Sequence, residues 1–228
     1  NFKLKKNDLL IEGVSVKKLS KKFETPFYCY SSSTIIEKFK EFEKPFKYLD
    51  TIICYAVKAN PNVAILKILS KLGAGAEVVS EGELRRALKA SIPTKKIVFS
   101  GVGKTEDEIK TAIKKRILLI NIESENEADV INNISNKISR ITSVGIRLNP
   151  NITGKTNKKI STGGKNDKFG LNYKNCINLC KKIKKMKNLK LEGISVHIGS
   201  QIIDINPFGQ VLKIINKIIT KTKINFNF

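Results

Sequence analysis

Thr51-Ile52-Ile53-Cys54-Tyr55-Ala56-Val57-Lys58-Ala59-Asn60-Pro61-Asn62 decides the fold class. Residues 51–57 form an apolar, β-rich run. Asn60-Pro61-Asn62 is a turn, because proline presets its own φ and disfavours helix in the residue before it. Residues 63–72 then carry apolar side chains at helical spacing. Working outward, strand, turn and helix recur. Strands are expected at 76–79, 97–100, 118–122, 144–148, 193–198 and 224–228, and helices at 81–89, 105–115, 125–135, 173–186 and 208–220. Alternation at this spacing indicates βαβ units and a parallel sheet. Seven such steps with no Gly-rich dinucleotide fingerprint after the first strand favour an α/β fold of the TIM (β/α)8-barrel type over a doubly wound sheet.

Eight strands close such a barrel, and seven are visible. The barrel is therefore expected to be incomplete in this chain, interrupted near the seventh strand, since 224–228 is an apolar run with no cap or polar tail after it. Upstream, Leu9-Leu10-Ile11 is β-like, 14–23 is a short helix, and Thr25-Pro26-Phe27-Tyr28-Cys29-Tyr30 is again β-like. These read as strands in need of a partner sheet, ahead of a first barrel helix at 33–42. The expected domains are 1–31, the N-terminal strands of a β domain, and 32–228, a partial barrel.

The composition is globular: 41% hydrophobic and 28% charged over 228 residues. The longest apolar runs, such as 117–120, fall far short of the ~20 residues a bilayer requires, and the N-terminus lacks the apolar centre of a signal peptide. A cytoplasmic protein without a membrane partner is expected. The net charge of +23 would ordinarily suggest a polyanion as partner. Yet only five of the 43 basic residues are arginine, whose fork suits phosphate and base recognition best, and the lysines are spread along the whole chain. The densest run, Lys181-Lys182-Ile183-Lys184-Lys185-Met186-Lys187, keeps apolar residues at helical spacing and reads as the solvated face of a packed helix. A basic nucleic-acid-binding protein is the weaker alternative; it would bind any polyanion with a steep salt dependence. Four cysteines without a CxxC pair and a single histidine give no zinc pattern, so reduced thiols and no metal are expected.

In barrels, residues at the carboxyl ends of strands face the active site. Lys58 ends the first apolar strand, where a partly desolvated lysine can act as an amine nucleophile and form a Schiff base. His197 ends the strand Gly193-Ile194-Ser195-Val196, followed by Gly199 and Ser200, where backbone and hydroxyl could approach an anion. Arg147 ends a third strand, and Glu77 lies early on a fourth. Lysine, histidine, arginine and carboxylate converging on one face suit an anionic, carbonyl-bearing cofactor.

Six segments then carry a specific resemblance. They are Tyr55-Ala56-Val57-Lys58-Ala59-Asn60, Val79-Ser80-Glu81-Gly82-Glu83-Leu84, Val98-Phe99-Ser100-Gly101, Ile160-Ser161-Thr162-Gly163-Gly164, Lys168-Phe169-Gly170 and His197-Ile198-Gly199-Ser200-Gln201. In order and spacing they resemble the diaminopimelate decarboxylases, within the fold-type III group of enzymes dependent on pyridoxal 5'-phosphate (PLP) that includes ornithine and arginine decarboxylases and, more distantly, alanine racemase. Ornithine-type enzymes usually carry Cys-Ala-Ser where this chain has Val78-Val79-Ser80. An ornithine- or arginine-type decarboxylase is the alternative within the group.

The resemblance implies PLP as cofactor, with Lys58 as the lysine that joins it covalently. It implies His197 on the face of the cofactor ring, Ser200 near its phosphate, and Arg147 as a supporting arginine. Glu77 stands where this family usually has Asp, close to the cofactor and Lys58. The loop Lys168-Phe169-Gly170 resembles one near a dimer interface, and a homodimer is implied. The implied reaction is decarboxylation of meso-2,6-diaminopimelate to L-lysine and CO2. Family elements expected beyond residue 228 include a triple-Gly phosphate loop, a Glu-Pro-Gly-Arg strand, and a Cys-Glu-Ser segment with a Tyr that reaches the other subunit. The 228-residue chain by itself is accordingly expected to be inactive and unstable.

Overall fold

The computed structural model describes residues 1–154, 160–164 and 167–228. It opens with a three-stranded antiparallel sheet, β1 (Phe2–Lys5), β2 (Asp8–Ile11) and β3 (Val14–Ser15), followed by α1 (Val16–Lys22) and α2 (Ser32–Glu43). The main body is a six-stranded parallel sheet in chain order: β4 (Cys54–Ala56), β5 (Gly75–Val78), β6 (Ile97–Phe99), β7 (Leu119–Ile122), β8 (Thr142–Leu148) and β9 (Leu189–Val196). Between successive strands lie α3 (Val63–Lys71), α4 (Glu81–Lys89), α5 (Glu106–Lys115), α6 (Glu125–Lys137) and α7 (Tyr173–Ile183), and α8 (Asn206–Thr222) follows β9.

The central strands β5 to β7 are short and largely buried because both of their faces are covered. β7 is buried at every position. Phe99, Ile120, Ile122, Ile146 and Leu148 from the strands join Leu66, Leu84, Ile109, Ile131 and Leu179 from the helices in one core. Polar residues just beyond the strands start the helices. The side chains of Asn62, Ser80, Thr105, Ser124 and Asn172 each accept a backbone N–H of the first turn, which fixes where α3 to α7 begin after the strands' carboxyl ends.

Two expected strands are absent. Residues 25–30 form no ladder, although their composition is β-like. They join neither edge of the N-terminal sheet, and Tyr28 and Tyr30 stack on each other at the surface. Residues 224–228 run alongside β9 without becoming a regular seventh strand. The N–H groups of Asn227 and Phe228 converge on the one carbonyl of Glu192, and Ile194 N–H donates to Phe228 O, which breaks the even spacing of a parallel ladder. The sheet thus has six strands, and among the described residues β4 pairs only with β5. No helix among the described residues is long and apolar enough to cross a membrane.

Candidate functional site

The carboxyl ends of the strands enclose a cleft of about 670 Å³. Four of the five candidates line it: Lys58, Glu77, Arg147 and His197. Ser200 does not; it is exposed three residues beyond His197, its N–H donating to Ile160 O at 3.2 Å. Lys58 lies in a 3-10 turn, Val57–Ala59, immediately after β4. It is exposed, contrary to the expected partial desolvation, β4 being an edge of the sheet among the described residues. Glu77 pairs with Ala56 across β4 and β5 and occupies the penultimate position of β5, close to the cleft end rather than early in the strand.

Arg147, on β8, is held by Glu123 just beyond β7, with Nη1 to Oε1 at 2.8 Å. The pair is largely withdrawn from solvent, with side-chain exposures of 12% and 3%. Glu123 is further fixed by two backbone donors, Gly101 N–H to Oε1 and Gly170 N–H to Oε2, both at 3.1 Å. Gly170 has φ +74°, and a Cβ there would sit 2.8 Å from Arg147 O, so this loop can reach Glu123 only with glycine. The Arg147 guanidinium also lies over the Phe169 ring, 4.7 Å from its centroid, a cation–π contact.

Beneath this pair is a second one. The Lys104 side chain is 1% exposed, and its three ammonium donors are all used: Gly101 O at 2.6 Å, Asn121 O at 2.7 Å and Glu127 Oε1 at 2.6 Å. The other oxygen of Glu127 accepts Glu123 N–H. Two ion pairs therefore lace the loops after β6, β7 and β8 together.

His197 follows β9 directly, beside the segment 160–164. Thr162 Oγ1 lies 2.6 Å from His197 Nδ1 and 2.9 Å from His197 O. Burial holds the imidazole below its ordinary 6.5, and the positive charges of Arg147 and Lys58 depress it further against a smaller opposing effect of Glu77. Asn121, also in the cleft, donates to Ser100 Oγ at 3.0 Å, while its buried Oδ1 has no partner among the described residues.

Sequence reading missed Thr162, Glu123, Lys104 and Asn121. Thr162 stood inside a quoted motif but carried no role, and Ser124-x-x-Glu127 looks like an ordinary helix start. What makes these residues important is pairing across long sequence separations.

The site's setting has counterparts in known proteins. The sequence profile of the pyridoxal-dependent decarboxylase family, pyridoxal binding domain, matches residues 32–228. The chain is 46% identical over 206 residues to a diaminopimelate decarboxylase of Aquifex aeolicus, covering 90% of this chain and 49% of that protein. Its structure is similar to that of a diaminopimelate decarboxylase from M. jannaschii in complex with L-lysine, with TM-score 0.91 and 36% identity over 99% of this chain and 55% of the other. A diaminopimelate decarboxylase from Helicobacter pylori, also complexed with L-lysine, matches with TM-score 0.85 and 41% identity over 90% of this chain and 53% of that one. The chain spans about half the length of the curated relatives it matches.

Proposed function

The chain belongs to the pyridoxal-dependent decarboxylase family through its pyridoxal binding domain, and on that premise we propose that the protein carrying it decarboxylates meso-2,6-diaminopimelate to L-lysine and CO2. The observation that carries this reading is the donor set of the cleft: among the described residues, Lys58 is the only primary amine that lines it, in a chain crowded with lysines. PLP is an anion bearing an aldehyde, and the residues present fit it. Lys58 offers the amine that can condense with the aldehyde. Arg147 offers positive charge, and the open space at Gly103 leaves room on the wall.

In this proposal Lys58 Nζ holds the cofactor, His197 faces its ring and Glu77 acts beside it, whereas Ser200, outside the cleft lining, is left without the expected place near the phosphate. Arg147 supports the site, its position fixed by Glu123 and Phe169. When bound, the cofactor supplies an electron sink for the pair left as the Cα–carboxylate bond breaks. The protein's share is orientation. The paired loops fix Arg147 and Thr162 fixes His197, and the half-buried imidazole, held toward its neutral form, does not add to the positive charge of Lys58 and Arg147. Residues 1–31 are read as strands of a β domain and 32–228 as the cofactor domain, in a homodimeric, cytoplasmic enzyme. The relatives' shared name and the L-lysine bound in two of their structures support the choice of substrate.

The test is a side-by-side assay of the whole protein that carries this chain with PLP and meso-diaminopimelate, ornithine or arginine. L-lysine and CO2 from the first alone is the expected result. Turnover of ornithine or arginine instead would overturn the substrate, and no decarboxylation of any of the three would overturn the activity.

A further inference from the structure

His197 is the only histidine in the chain, and its Nδ1 lies against a hydroxyl whose own proton is already placed. A threonine hydroxyl has one proton to give and can accept. Thr162 Oγ1 donates to His197 O at 2.9 Å, so the 2.6 Å contact with Nδ1 must be one in which the ring donates and the hydroxyl accepts. In the reverse arrangement the hydroxyl would donate to Nδ1, and two oxygens with no hydrogen between them would stand 2.9 Å apart.

Thr162 cannot easily move to escape this geometry. The adjoining Gly163 is buried, and a Cβ there would collide with Ile152 O and come within 2.9 Å of Ile198 Cα. Ser161 forms a bridge to Gly199, and Ser200 N–H donates to Ile160 O. The threonine is therefore clamped to the end of β9 on both sides.

We propose that Thr162 is a positioning residue that selects the tautomer of His197 with its proton on Nδ1, leaving the ring's lone pair on Nε2. A free imidazole exchanges between two tautomers, whereas this one is held in a single form with a single direction of dipole. Burial and the charges of Arg147 and Lys58 disfavour the doubly protonated ring that would remove the distinction. The consequence for PLP, a ring of fixed polarity against the cofactor face, rests on the proposed function; the tautomer itself does not.

The experiment is ¹⁵N NMR of histidine-labelled protein without cofactor, at a pH well above the ordinary histidine value, with His197→Gln to assign the signal. Expected is a pyrrole-like Nδ1 bearing its proton and a pyridine-like Nε2. Thr162→Ser should keep that pattern, and Thr162→Val should move both nitrogens toward averaged shifts. A proton on Nε2 in the wild type, or an unaltered Nδ1–H in Thr162→Val, would overturn the proposal. Should Thr162→Val not fold, Thr162→Ala removes the same hydroxyl, and the wild-type spectrum alone still decides the tautomer. A protein that shows Nδ1–H and binds no PLP would uphold this inference while refuting the proposed cofactor.

Discussion

His197 shares its cleft with Arg147 and Lys58, two positive charges outweighing the carboxylate of Glu77, and it is half-buried as well. All but the carboxylate favour the neutral ring, so its folded-state pKa lies below the ordinary 6.5. Below 6.5 the unfolded chain then binds more protons than the folded one at this position, and stability falls as pH falls through that window. Denaturant melts between pH 8 and pH 5 should show this loss, and His197→Gln should flatten the dependence. An unchanged slope in the variant would show that other groups carry it. Lys58, Arg147 and His197 were legible as cleft residues because each is a polar side chain at or near the end of an apolar run, where a barrel strand points its chemistry, whereas Glu77 was read too early in its strand. Thr162 and Glu123 were not legible, because their partners lie 35 and 24 residues away and only the folded loops bring them together.

The loops at the carboxyl ends of β6, β7 and β8 owe their arrangement to Lys104, whose ammonium is enclosed by two carbonyls and Glu127. Removing one partner of a buried ion pair leaves the other uncompensated, at about 3–5 kcal/mol. Lys104→Ala is expected to lose stability of that order in chemical denaturation, whereas Lys38→Ala, which breaks an exposed pair with Glu41, should change little. Equal effects would contradict the buried network. At the other end of the chain, the Glu12 carboxylate accepts from the hydroxyls of Ser31, Ser32 and Ser33 and from Ser33 N–H, tying the N-terminal sheet to the start of α2. Those hydrogen bonds, that of Ser31 foremost, hold Glu12 down from its ordinary 4.5 to about 2. The tie is complete above 4.5 and is lost as pH falls through about 2, so amide exchange in β2 should accelerate over that acid range in wild type and not in Glu12→Gln. Helix α4 was legible to the residue, because Ser80 caps it and acidic residues fill its first turn. Residues 25–30 were not, since a strand requires a partner edge that local composition does not reveal.

Across the whole molecule, a charge of +23 would attract an anionic aldehyde to many surfaces, and any exposed lysine could react with it transiently. The fold distinguishes one amine from the rest. The parallel sheet brings Lys58 to the same cleft as Arg147 and His197, whereas the densest basic run lies on and just after α7, where Lys182 pairs with Asp129 at 2.7 Å. The alternating strand and helix pattern made that architecture readable, while the irregular approach of 224–228 to β9 was set by tertiary contacts. The most direct measurement is borohydride reduction of the protein equilibrated with stoichiometric PLP, followed by peptide mapping of every lysine. The account predicts one stable modification, at Lys58, that vanishes in Lys58→Ala. Labelling spread over surface lysines, or concentrated at any other position, would contradict it.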